Sequence, residues 1–198
     1  MSDFKDDLVR LIAKTLQDPQ AAARQIIAIE LSKPVLWNLL LLIVILSVLL
    51  TYGTVLISGQ AVAALAMAGS PMMLTLLFFG QLVLLVFAIF WTGKALGGTG
   101  RLEDFAALLA WLQTIWLIAQ VFQSILLVVS PSAAQFFGVV AIVYGLWIVS
   151  NFIAVAHGFP SWVKGVGVLV LSTLGVVVGL SVLLSIIGIG TLGLSLDV

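Results

Sequence analysis

From Pro34 to Gly93, and again from Phe105 to Ala156, the chain carries no aspartate, glutamate, lysine or arginine. Leucine, isoleucine, valine and phenylalanine run through these tracts without alternating with polar residues, a pattern that selects helices over strands. About 20 apolar residues carry a helix across a hydrocarbon core about 30 Å thick. The runs predict spans near 35–57, 71–93, 105–130, 135–156 and 165–188. Only helices and closed barrels satisfy their backbone groups in lipid, so the expected fold class is all-α, a polytopic membrane bundle of five helices.

The breaks between runs have local causes. Ser58-Gly59-Gln60 and Gly69-Ser70-Pro71 bound the first connection, and Ser130-Pro131-Ser132 makes a short turn between spans three and four. Pro71 suits the first position of a helix, where the missing N–H costs nothing. Between them Ala61 to Ala68 is small and apolar, and reads as an interfacial helix or as longer ends of spans one and two.

Ahead of the spans the period changes. Phe4, Leu8, Leu11, Ile12 and Leu16 form one apolar stripe opposite Asp6, Asp7, Arg10 and Lys14. Asp18 and Pro19 then restart a helix as N-cap and first residue, and Ala22, Ala23, Ile26, Ile27 and Glu30 continue on a second face. Residues 1–33 are thus expected to be an amphipathic helical segment, and 34–198 the membrane domain. Such helices either cover the bundle's own loops or bind the headgroup boundary or a partner helix. The charges of residues 1–33 are mixed rather than ordered as in a signal peptide, so the amino terminus is expected to be kept.

Composition supports lipid as the solvent. The 198 residues are 63% hydrophobic and 8% charged, against about 25% charged in soluble domains. Eight basic residues balance eight acidic ones, which argues against a nucleic-acid groove. No cysteine is present, so disulfides, thiolate metal sites and thiol nucleophiles are excluded. Orientation follows from placement. Lys5, Arg10, Lys14, Arg24 and Lys33 precede span one, Lys94 and Arg101 follow span two, and Lys164 follows span four. With five spans all eight fall on one face, which the positive-inside rule makes cytoplasmic, with the carboxyl terminus on the far side. Trp37, Trp91 and Trp162 sit near the same ends as belt residues, whereas Trp111, Trp116 and Trp147 lie deeper.

Candidate chemistry is sparse. The predicted spans hold no ionisable residue of the kind that marks proton relays. Gln113, Gln120, Tyr144 and Asn151 are polar positions that could line a cleft, although interhelical hydrogen bonds are the commoner use of such side chains. Gly175 and Gly179 stand four apart in span five and permit close helix packing. The loop Lys94 to Asp104 contains Gly97, Gly98, Gly100, Arg101 and Glu103; its glycines allow positive φ, and it reads as a tight turn. A phosphate cradle would also need such backbone donors, but the GK[ST] ending of a P-loop is missing. His157 to Lys164 forms the next loop. One histidine without a nearby second ligand is a poor metal site, and no nucleophile elbow or working carboxylate pair is present. Neither a cofactor nor an enzymatic activity is therefore expected. Lys94, Gly97, Gly98, Gly100, Arg101, Glu103, Asp104, His157 and Lys164 are the candidate contacts for a partner or lipid.

Gly97-Gly98-Thr99-Gly100 after span two, the aromatic third span, and the stretch from Trp147 ending in Ala156-His157-Gly158-Phe159 resemble the bacterial branch of the Yip family. Asp18-Pro19 with Ala21-Ala22-Ala23-Arg24 is similar too. The resemblance implies five spans, a cytoplasmic amino terminus, a short far-side tail, and residence in the bacterial cytoplasmic (inner) membrane. It implies a non-enzymatic role in membrane organisation or trafficking, through membrane lipids, other membrane proteins or further copies of the chain. Eukaryotic members interact with Rab GTPases, but the long amino-terminal domain and Asp-Leu-Tyr-Gly-Pro motif of those members have no counterpart here. A small transporter, channel or lipid-handling protein with a polar cleft is the alternative.

Overall fold

A computed structural model describes residues 2–58 and 70–193, with side chains described over 5–56, 70–182 and at 185. Seven helices occupy these residues: α1 Ser2–Gln17, α2 Pro19–Ile27, α3 Lys33–Ser58, α4 Pro71–Ala95, α5 Leu102–Val129, α6 Pro131–His157 and α7 Trp162–Gly193. The last five are long and apolar enough to cross a membrane. All-α architecture and the five spans therefore match expectation. The segment Ala61 to Ala68, the tail Leu194 to Val198 and the side chain of Phe4 lie outside the described residues.

Capping residues rather than hydropathy set the starts of α2, α4 and α6. Asp18 Oδ1 accepts from the Ala21 amide at 2.9 Å with Pro19 behind it. Ser70 and Ser130 cap α4 and α6 through the amides of Met73 and Ala133, each ahead of a proline. Ser130 alone joins α5 to α6. Glu30 departs from its expected place, lying beyond the end of α2 with φ at 51°, so the second apolar face stops at Ile27.

Neighbouring spans follow the ring α3–α5–α6–α7–α4, which closes on α3, with α4 also touching α5 and α6. The tightly packed part lies at one end. Its residues are Leu36 to Val48 of α3, Leu82 to Ile89 of α4, Phe105 to Leu112 of α5, Ile148 to Ile153 of α6 and Val168 of α7. These are the segments nearest the Lys94 and Lys164 loops. Toward the other end the helices present apolar side chains outward, and from Thr173 to Val182 no residue of α7 is buried. Lipid tails are as apolar as leucine, so this exposure carries no hydrophobic penalty in a bilayer.

The α1–α2 hairpin packs on α5 and α6. Ala22, Ala23 and Ile26 of α2 are buried, while Asp6, Asp7, Arg10 and Lys14 of α1 face outward. Three bonds moor it: Trp111 Nε1 donates to Thr15 Oγ1 at 2.9 Å, Gln20 Nε2 to Asn151 Oδ1 at 2.9 Å, and the Tyr144 hydroxyl to the Leu16 carbonyl.

Candidate functional site

Two helix ends meet at the packed end of the bundle. At the end of α4, Gly97 adopts φ +87°, its amide reaches the Lys94 carbonyl at 3.0 Å, and the Gly98 amide reaches the Gly93 carbonyl at 2.8 Å. At the end of α6, Gly158 adopts φ +69°, its amide reaches Val155 at 3.1 Å, and the Phe159 amide reaches Ala154 at 2.8 Å. Both are Schellman caps, for which a residue without Cβ enters the left-handed region at little cost. The caps interlock, because the Thr99 amide donates to the His157 carbonyl at 3.1 Å.

His157 is the pin between them. Its side chain is 1% exposed, with the ring against Phe105 at 4.4 Å and Phe159 at 5.2 Å between centroids. Nε2 lies 3.3 Å from the Ile89 carbonyl, which can only accept, so Nε2 carries the proton and donates. Nδ1 has no partner among the described residues. A Cβ on Gly93 or on Gly98 would overlap the imidazole, and one on Gly100 would stand 2.5 Å from the Ala156 carbonyl. Glycines 93, 98 and 100 thus make the space that the ring and its strand of backbone occupy.

The rim is charged and exposed. Lys94 Nζ stands 4.7 Å above the Phe90 ring and Lys164 Nζ 5.6 Å above that of Phe159. Lys33 pairs with Glu103 at 2.8 Å, and Arg101 approaches the same carboxylate at 3.9 Å. Asp104 accepts from the Arg101 amide at 3.2 Å, and with Glu103 places two carboxylates in the first turn of α5, where they suit its dipole. Pairs this exposed contribute about 0–1 kcal/mol each, so the rim adds little to stability.

The nine loop residues chosen from sequence therefore divide into two layers. His157, Gly98 and Gly100 form the inner one; Lys94, Gly97, Arg101 and Lys164 lie exposed, with Glu103 and Asp104 part-covered between them. The Gly97 and Gly98 amides bond within their own cap and that of Thr99 to His157, which leaves none of the three for an anion.

Gln113, Gln120, Tyr144 and Asn151 are not brought together. Gln120 donates to the Ser47 carbonyl at 3.0 Å and Thr51 Oγ1 at 2.8 Å, joining α5 to α3. Gln113 lines a separate 220 Å³ cavity with Gln81, while Tyr144 and Asn151 hold α1 and α2. Gly175 and Gly179 meet nothing within 4 Å of a built Cβ among the described residues. The close helix approach falls instead at Gly165, where a Cβ would overlap the Ser150 carbonyl of α6. Sequence reasoning passed over Gly93, Gly165, Thr15 and Gln20; of these only Gly165-Val-Gly167 carries a visible small-residue signal.

Residues 13–186 match the Yip1 domain, from the middle of α1 through most of α7. The chain belongs to the Yip1 family. No curated protein and no solved structure matches it. As a Yip1-domain protein it is an integral, multi-pass membrane protein, and the match takes in the three moorings of α1–α2 as well as the two interlocked caps. The match thus covers the last residues of α1 and all of α2 together with the spans.

Proposed function

We propose that this Yip1-domain protein is a non-enzymatic organiser of membrane or partner proteins, and that it acts through the rim formed by Lys94 to Asp104 and His157 to Lys164. The observation that carries the reading is the contrast between layers: a rigid, side-chain-filled inner layer around His157, and outside it Lys94, Leu96, Arg101, Trp162 and Lys164 all exposed. A rigid scaffold bearing exposed basic and aromatic residues is the form of a recognition surface. Neutralising Lys94 and Arg101 (K94Q with R101Q) removes rim charge while leaving His157 and its glycines in place. The expected result is loss of co-purifying membrane proteins from native membranes with an unchanged melting temperature. An unchanged set of partners would count against this rim.

The site of action is proposed to be the bacterial cytoplasmic membrane, with the amino terminus and both caps inside and the carboxyl terminus outside. The support is the placement of all eight basic residues on one face. Because the chain has no cysteine, single substitutions report on topology without background. In intact cells S161C is expected to resist a membrane-impermeant maleimide, and S132C, exposed in the first turn of α6, to react. Labelling of S161C from outside would reverse the orientation.

A further inference from the structure

A groove of about 590 Å³ lies between α5 and α6. It runs from Leu112 to Phe122 on one helix and from Phe137 to Ile148 on the other, both within segments long and apolar enough to span a bilayer. Ile12 and Leu16 of α1 roof the end nearest the two caps. We propose that this groove holds one acyl chain of a membrane phospholipid, from the leaflet on the α1 side, with α1 as its lid.

Three observations select that occupant. The lining is hydrocarbon except at Trp116 and Tyr144, and the Tyr144 hydroxyl already donates to Leu16, so the site offers a headgroup nothing to recognise. Ten residues of α5 at 1.5 Å each give a length of about 15 Å, half of a hydrocarbon core about 30 Å thick, which is the depth of one leaflet. With about 590 Å³ over that length, the groove has room for a flexible chain one methylene wide.

The lid explains a feature of α1 that packing alone does not. Its apolar stripe is only partly covered by protein, with Leu16 40% exposed, while Arg10 and Lys14 face the other way. An amphipathic helix with this division lies at the headgroup boundary with its apolar face toward the tails. Moored through Thr15 and Leu16, it stands over the groove mouth at the level where a tail enters.

The test uses the full chain in vesicles of phosphatidylethanolamine and phosphatidylglycerol containing a trace of phospholipid with a mid-chain diazirine. After irradiation, adducts are mapped by mass spectrometry. Groove residues such as Ala119 and Ala141 are expected to carry about tenfold more label per residue than Val170, Leu174 and Val178, which face outward on α7. Ala141→Trp, which fills the groove, should bring groove labelling down to the α7 level and leave α7 unchanged; Ala119→Phe is the second filling variant. Equal labelling of groove and α7 in the unsubstituted protein would overturn the proposal. So would persistence of groove labelling in a folded filling variant, or replacement of lipid adducts there by cross-links to a second copy. The readout is independent of Lys94 and Arg101, so it stands or falls apart from the rim.

Discussion

Gly165→Ala should cost about 3 kcal/mol of stability, whereas Gly167→Ala, two residues along the same helix, should cost nothing measurable. A Cβ at 165 overlaps the Ser150 carbonyl and stands 3.3 Å from the Ala154 amide nitrogen, so its neighbours are backbone atoms of α6. Backbone inside a helix cannot swing aside as a flexible side chain would. The α6–α7 crossing must open instead, and it opens where Val149, Ile153 and Val168 make the core. At 167 a Cβ meets nothing within 4 Å, and alanine is the better helix former. Thermal unfolding in detergent micelles compares the two directly. Equal melting temperatures would mean that α6 and α7 do not cross at this distance.

Gly93→Ala is expected to destabilise by about 2–3 kcal/mol, and the loss should largely vanish once His157 is also alanine. At this position the three atoms nearest the added methyl all belong to the imidazole, a group that can be removed. His157→Ala by itself should cost about 3 kcal/mol, since it empties a site walled by Phe105, Phe159, Gly93 and Gly98. In the double variant the new methyl sits in the space the ring has left, so the total should fall short of the sum by more than about 1 kcal/mol. Additive losses would show that residue 93 and the ring are not in contact. The contrast with Gly165 is instructive, because no side-chain truncation on α6 can relieve a clash with a carbonyl.

Much of this architecture is legible in the residues. Charge-free tracts place the five spans, and Asp18-Pro19 and Ser70-Pro71 place two helix starts, because capping chemistry is local, whereas Ser130-Pro131, which reads as a turn ahead of a span at 135, is the cap and first residue of α6. The stripe of α1 is legible for the same reason: charged residues stand opposite apolar ones, so its two faces differ in kind. The loop glycines also point the right way, since only close approach or positive φ calls for so many within Gly97 to Gly100.

The partners of these residues are not legible. Gly93, Gly98 and His157 form one cluster, although some 60 residues of chain separate the glycines from the histidine. Gly175 and Gly179 carry the better-known spacing, yet the packed crossing is at Gly165. Small residues permit a close approach without saying that anything approaches. Gln120 and Asn151 look alike in sequence; one ties α5 to α3, the other receives α2.

By itself, then, the sequence determined which segments leave water, where the capped helices α2 and α4 start, and which end carries the basic residues. Only the tertiary structure decided which face of each span is core, which glycines matter, and where the groove lies. The physical reason is the solvent. In water a buried face is marked by its hydrophobicity, but between lipid tails and a leucine-rich core there is no such difference to write into the chain. The choice passes to shape, to where a missing Cβ meets an imidazole or a carbonyl, and shape exists only once the helices have met.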